Sequence, residues 1–298
     1  MPQCRLCMKE KELRVSHIIP SFVFKWLKET SATGHIRFGQ EPNQRIQDGY
    51  KIPFLCEDCE TTLNEWETQF ANTVFHPYTG DRTIRARYAD WMLKFCVSIS
   101  WRVLAMMKEK EGLDHFSQEQ AACADNALLT WKQFLDGDIP HPGPYEQHLL
   151  PLDAIKSFKG VTLPANINRY LLRTVDIDTV VGERTGFVYS KFGPFVLVGF
   201  IYAKTQNEWR GTKIHVRHGE FSPRDYQLPA GFFDYLVGQA NKFAMLHEKL
   251  SDRQREKIDS AARSNIDRVA KSASFEAMCH DVEMCGGEAF EVHNGKKK

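Results

Sequence analysis

Four cysteines near the start of the chain are placed for metal binding: Cys4 and Cys7 in CRLC, then Cys56 and Cys59 in LCEDCE. A two-residue spacer lets a tight turn aim both thiolates of a pair at one ion, and two such pairs supply the four sulfurs of a tetrahedral Zn²⁺ site. The 48 residues between the pairs, Met8 to Leu55, exceed the roughly 15–20 of a usual zinc ribbon, so the intervening chain has room for elements of its own. Within that gap stands His17, in the apolar run VSHIIP that Pro20 closes. The ion could simply hold the N-terminal lobe together, and His17 could simply pack half-buried on that lobe.

The elements that must position these residues are legible from periodicity. LRVSHIIP reads as a strand and SFVFKWLKE as a short helix, followed by a polar stretch rich in Gly, Gln and Asn. The second cysteine pair runs straight into a helix, LNEWETQFANTVF, on which Leu63, Trp66 and Phe70 recur at helical spacing. Residues 88–110 are apolar on most sides but carry Asp90, Lys94 and Arg102, which suits a buried core helix better than a membrane span. A further amphipathic helix is expected over Gln118–Leu135.

The proline- and glycine-rich run 136–151 reads as an irregular connection. Beyond it RYLLRTVDIDTVV, TGFVYSKFG, PFVLVGFIYA and TKIHVRH read as strands of an antiparallel sheet, because the links are too short for crossover helices. Helix returns from Pro229, with Ser251 as an N-cap and Gln254 completing a capping box. The fold class expected is α+β, with a metal-bound lobe over 1–80 and a mixed helical and antiparallel-sheet domain over 81–298.

Composition narrows the function. The chain of 298 residues is 42% hydrophobic and 26% charged, enough to bury a sizeable core. Its net charge of +1 excludes a globally basic nucleic-acid binder; the Lys/Arg-rich stretch from Arg82 to Lys110, which includes Arg102, and the terminal Lys296–Lys298 could contact phosphates, although such runs are more often simply solvated faces. No secretory leader is legible, and the remaining cysteines (Cys96, Cys123, Cys279, Cys285) have no framework spacing, so reducing cytoplasm and no membrane are expected. Cys279, His280, Cys285 and His293 form a second metal-like group whose spacing is wrong for a knuckle, and it is not counted as a site. His76, His115, His141 and His148 read as surface or structural residues.

CRLC, then SHIIP, then LCEDCE leading into a helix resembles the HNH endonuclease family in its zinc-stabilised ββα-metal form, over roughly the first quarter of the chain. The resemblance implies a strand histidine, here His17, that deprotonates the water attacking a phosphodiester. It also implies a divalent ion held in part by the residue after the last cysteine, here Glu60, whose carboxylate suits Mg²⁺ or Mn²⁺. On that helix Glu60, Asn64 and Glu67 would share a face, so that Asn64 could supply a second ligand, whereas Glu67 reads as part of a solvated stripe. The chain departs from the family at Ser16, where an acidic residue or histidine is usual, and near Lys51, where an asparagine is expected; Asp48, Asn43 or Asn64 could substitute for it.

WMLKFCVSISWRVLA is similar to segments of uncharacterised bacterial HNH proteins. Defence nucleases of bacteria pair such a module with a sensing or assembly domain, which by analogy gives residues beyond 80 a partner, ligand or nucleic acid to bind. The expectation is thus a metal-dependent endonuclease acting on DNA, with an antiviral role and an activating partner protein or self-assembly. Two alternatives stay open: a catalytically inactive zinc module that binds nucleic acid or protein, and an interaction protein whose activity lies beyond residue 85.

Overall fold

The computed structural model describes residues 1–110, 112–158, 162–204, 206–223 and 226–290. Residue His293 and the lysines 296–298 lie outside the described residues.

The N-terminal lobe is built on strand β1 (Leu13–His17), which pairs antiparallel with a strand almost forty residues later. Between them come helix α1 (Ser21–Glu29) and a small ribbon, β2 (Ile36–Arg37) with β3 (Arg45–Ile46); then β4 (Lys51–Cys56) closes the pair and leads directly into α2 (Glu57–Phe70). The lobe is therefore an antiparallel strand pair followed by a helix, with α1 and the ribbon inserted between the strands. Leu63, Trp66 and Phe70 form the buried face of α2 as their spacing requires. The helical path continues through one wide π turn (Ala71–Phe75) into the short α3 (His76–Gly80).

Next come strand β5 (Ala86–Tyr88) and the helix α4 (Trp91–Lys110), buried along most of its length. Helix α5 (Gln118–Asp136) lies against it and opens on a capping box that the sequence reading did not single out: Ser117 accepts from the Gln120 N–H while the Gln120 side chain accepts from the Ser117 N–H. The main sheet contains β6 (Gln147–Pro151), β7 (Val175–Val181), β8 (Thr185–Phe192) and β9 (Phe195–Ala203), with α6 (Ile167–Arg173) preceding β7. Its order is β6-β9-β8-β7, and every pairing is antiparallel, as expected from the short links. A two-residue turn, Gly193–Pro194, joins β8 to β9; Gly193 has φ 57°, the left-handed geometry that favours glycine at the first central position. Strand β10 (Gly219–Phe221) pairs with β5. The helices α7 (Phe232–Glu248), α8 (Asp252–Arg263), α9 (Ile266–Ala270) and α10 (Ala273–Cys285) complete the described chain.

Both faces of the sheet are covered, and alternation along the strands sorts side chains between two cores. Leu149, Val188 and Leu197 join the cluster that holds α2, α4 and α5, whereas Leu150, Tyr189, Val196 and Val198 join the one that holds α6 and α7. Helix α4 approaches β9 so closely that a side chain at Gly199 would meet Ser100 Oγ at 2.3 Å. The first cluster runs without interruption from Cys4 through Phe70, which stacks on Phe95 at 4.0 Å, to Phe195. Apolar packing is thus continuous across residue 80.

Four local expectations need correction. Residues 147–151 are not irregular but form β6, whose five residues are all buried. RYLLR is helical rather than extended, because Ile167, Tyr170 and Leu171 bury one helical face and Arg169 is drawn to Asp281 of α10 at 2.7 Å. TKIHVRH is not a strand of the sheet; it runs beside β6 and covers its edge with Leu149 N–H to Thr212 O and Ile214 N–H to Gln147 O. Ser251 is the N-cap residue of α8 but makes no side-chain cap bond: the Gln254 N–H goes to Ser251 O, and Gln254 Oε1 accepts from Arg37 Nη2.

The edge strand carries a buried ionisable group with a measurable consequence. His148 Nδ1 pairs with Thr212 Oγ1 at 2.8 Å, and its Nε2 lies 3.4 Å from Glu146, which Lys213 also reaches at 2.6 Å. His148 and Lys213 hold the Glu146 carboxyl down at about 2, while burial pushes His148 below its ordinary 6.5. Each shift leaves the unfolded chain binding more protons than the folded one, so stability falls as pH drops from about 6.5 towards about 2. Melting curves at about pH 7, 5 and 3 should show that decline, and Glu146→Gln should flatten its acid half.

Candidate active site

The four cysteines converge. Their sulfurs all lie within 4.8 Å of one another, and Cys7 and Cys56 are 3.8 Å apart. Zn–S bonds of roughly 2.3 Å in a tetrahedron put sulfurs about 3.8 Å from each other, so the quartet fits an ion such as zinc. All eight cysteines are free, and this is the one His/Cys/Asp/Glu group of that kind among the described residues.

Backbone geometry explains how the knuckle forms. The Met8 N–H bonds to Cys4 O at 3.0 Å and the Cys4 N–H to Lys9 O at 3.0 Å, a tight turn that places Met8 at φ 59°. The Cys56 N–H points at Cys4 Sγ from 3.3 Å, tying the two knuckles together. Burial opposes ionisation of Cys4, but N–H donors from Cys56, Cys7 and Leu6 outweigh it and bring the thiol down to about 7.

His17 ends β1, directly opposite Lys51 of β4. Its Nε2 lies 2.8 Å from Asp48 Oδ2. Burial raises the Asp48 carboxyl, but hydrogen bonds from His17 and from the Gly49 N–H outweigh it and hold Asp48 below the usual carboxylate range. An ionised carboxylate only accepts, so Nε2 is the donor in this bond, and the neutral ring bound this way has its lone pair on Nδ1. Lys51 Nζ is 3.4 Å from the same carboxylate oxygen. Of the candidates for the missing asparagine, Asp48 is therefore the one beside His17. Asn43 is engaged elsewhere, donating to Lys249 O and accepting from the Ser251 N–H.

Ser16 points to the other side of the strand. It is fully buried, and its hydroxyl accepts from the Leu55 N–H at 3.2 Å, next to the β1–β4 register shift. It serves the backbone and has no path to an ion beside His17.

Glu60 sits in the first turn of α2, half-buried. Asn64, one turn on, is exposed, and no hydrogen bond joins it to His17, Asp48 or Glu60 among the described residues. Glu67 corrects its reading as a solvated residue: its side chain is 13% exposed and pairs with Arg102 of α4 at 2.7 Å. Burial raises the Glu67 carboxyl, Arg102 opposes that, and both Glu60 and His17 are near enough to act on its charge. Arg102 belongs neither to a solvated face nor to an open phosphate patch, being 1% exposed and donating from Nη1 to the His17 carbonyl at 2.9 Å. A cation in the middle of the apolar run WMLKFCVSISWRVLA was the sequence signal for such a buried pair.

The donor set for a hard ion is sparse. His17, Asp48, Glu60 and Glu67 do not form a cluster of the cysteine kind. Mg²⁺ is commonly held by one or two carboxylates plus substrate phosphates, and no preformed cage of such groups surrounds Glu60 among the described residues.

No protein-family model matches the chain, and comparison with curated proteins and with solved structures finds no match. No helix among the described residues is long and apolar enough to cross a membrane.

Proposed function

We propose that the protein is a metal-dependent phosphodiesterase of the HNH type that cuts DNA. The observation that carries this reading is the Asp48–His17 pair at the end of a strand in a ββ-helix lobe with a cysteine quartet at its base. A histidine oriented through one nitrogen by a carboxylate presents the other as a general base. His17 Nδ1 would take a proton from the attacking water as the new P–O bond forms, and Asp48 would stabilise the resulting imidazolium. Lys51, facing His17 across the strand pair, offers positive charge to the phosphoryl oxygens. A Mg²⁺ or Mn²⁺ ion bound at Glu60 would supply charge stabilisation for the leaving oxygen. The cysteine quartet, bound to zinc, fixes β4 and the start of α2 and so sets where Glu60 stands.

The test is cleavage of supercoiled plasmid with Mg²⁺ or Mn²⁺ by the wild-type protein and by His17→Ala. Removing a general base costs about 10²–10⁴-fold in rate, and the variant should lose that much while keeping its zinc and its melting temperature. Asp48→Asn should lose less, since the ring keeps a partner. Cleavage that survives His17→Ala in protein free of contaminating nuclease removes the assignment. The inward-facing Ser16 favours one other reading, a zinc module that binds nucleic acid or protein without cutting. It predicts no cleavage by either protein with fold and zinc intact.

A further inference from the structure

Arg37 and Arg45 stand directly opposite each other on the β2–β3 ribbon. Like charges at paired positions destabilise a ribbon, and so short a ribbon has little pairing energy with which to offset the repulsion. No carboxylate among the described residues forms an ion pair with either. Arg37 donates to Pro42 O at 2.7 Å and to Gln254 at 3.1 Å, both neutral acceptors. Arg45 is exposed. Arg268 of α9 lies over Gly34 and donates to the carbonyls of Ser31, Lys28 and Glu29, again without meeting an acid. His35 sits among the three; burial lowers its affinity for a proton, and Arg45, Arg37 and Arg268 lower it further. Arg37 and Arg268 are thus fixed by neutral partners, Arg45 makes no ion pair among the described residues, and the charge of all three, from two separate parts of the chain, is left over. Elsewhere in this protein some exposed cations do meet an acid, as in Arg5 with Glu109, Arg14 with Glu57 and Lys11 with Asp58.

The ribbon is also tied to the candidate active site. Arg45 precedes Asp48 by three residues, a span of at most about 11 Å. We propose that Arg37, Arg45 and Arg268 form a clamp for the phosphodiester backbone of a nucleic-acid duplex beside the bond that His17 addresses. The placement beside a scissile bond rests on the nuclease reading; the binding of a polyphosphate backbone does not. Guanidinium groups match phosphate oxygens in pairs, and contacts of this kind position a duplex without reading its sequence. A near-neutral protein needs such a local concentration of charge to hold a polyanion.

Arg45 is the clean residue to change, because it is exposed and its side chain forms no hydrogen bond among the described residues. Binding of fluorescent DNA and RNA duplexes is measured by anisotropy in EDTA across a salt series, for wild type, Arg45→Glu, Arg45→Gln and Arg45→Lys. Arg45→Glu is expected to weaken binding about tenfold or more and to lower the salt slope by about one, with Arg45→Gln intermediate and Arg45→Lys near wild type. Its melting temperature should hold or rise, since a carboxylate opposite Arg37 removes the like-charge pair. The DNA and RNA arms show which backbone is preferred. Binding and salt slope unchanged in Arg45→Glu would overturn the clamp, as would polyglutamate competing as well as duplex, which would point to an acidic protein partner. Weakened binding in Arg45→Glu alongside a wild type that never cleaves would keep the clamp and remove the nuclease. Normal cleavage with unchanged binding would do the reverse.

Discussion

Replacing Cys56 with serine should unfold the N-terminal lobe and take much of the remaining core with it. Cys56 is 1% exposed, and its backbone N–H rests against Cys4 Sγ, so losing the Cys56 sulfur removes a ligand at the point where the two knuckles meet. Metal binding by a cysteine quartet is itself folding free energy, with apparent values of about 10–16 kcal/mol in zinc-finger peptides. Such a term is as large as the ~5–15 kcal/mol by which a whole domain is stable. The lobe has little to replace it with: Leu13–His17 and Lys51–Cys56 are a lone two-stranded pair, and such a pair is marginal without packing. Because the apolar cluster that contains Cys4, Phe54 and Leu63 continues into α4, loss of the lobe exposes Phe95 and Trp101. The expected result is protein with less than one zinc per chain and a melting transition lowered by tens of degrees or lost, read by metal analysis and circular dichroism. A strong chelator should reproduce it on wild type. Cys96→Ser, at a buried cysteine outside the quartet, is the control and should keep the zinc.

How much of this was legible beforehand depended on whether a signal was local. The knuckles are local: a two-residue spacer carries its own turn, and Met8 in the left-handed region is a consequence of that turn. α1, α2 and α5 announce themselves because apolar positions on one face repeat every three to four residues, and α4 because its apolar run is too long for a strand. The antiparallel sheet followed from short links, but β6 was missed behind prolines and glycines, because what makes it a strand is its pairing with β9, about fifty residues on. RYLLR failed as a strand because seven residues rich in Leu and Tyr satisfy both periods, and the choice was made by α10 through Asp281, more than a hundred residues away.

The candidate site divides in the same way. His17 and Glu60 were visible beside their cysteines. Asp48 was one of several nearby polar residues, and only the β1–β4 register puts it on the histidine. Arg102 in its apolar run signals that some buried partner exists but not which one, and Glu67 alone reads as an ordinary charge on a helix. Their meeting depends on how α2 crosses α4, which is set by Phe70 stacking on Phe95 and Lys94 lying over Trp66.

That meeting should make Arg102→Met one of the most damaging single substitutions in the chain. Arg102 Nη2 reaches Glu67 at 2.7 Å, Nη1 reaches the His17 carbonyl at 2.9 Å and Nε reaches Ser98 O at 3.2 Å, all with the guanidinium 1% exposed. Methionine fills much of the space but leaves Glu67 buried without a partner, and breaking a buried pair on one side costs about 3–5 kcal/mol. Burial already raises the Glu67 carboxyl, and Arg102 is the group that opposes it, so the variant's Glu67 would bind a proton more readily still. A carboxyl whose folded pKa lies above its unfolded value contributes stability that is present at low pH and lost as pH rises through the folded value. The damage from Arg102→Met should therefore be largest near neutral pH and shrink towards about pH 5. Arg102→Met combined with Glu67→Leu should recover a large part of the loss, because an apolar pair removes the stranded charge. Thermal and denaturant unfolding of the two singles and the double at both pH values measures this coupling. The His17 carbonyl stays without its donor in the double variant, so a double that regains stability but cleaves plasmid more slowly than wild type would assign Arg102 a second role, holding the end of β1 where His17 can work. A double that regains both would confine the pair to packing.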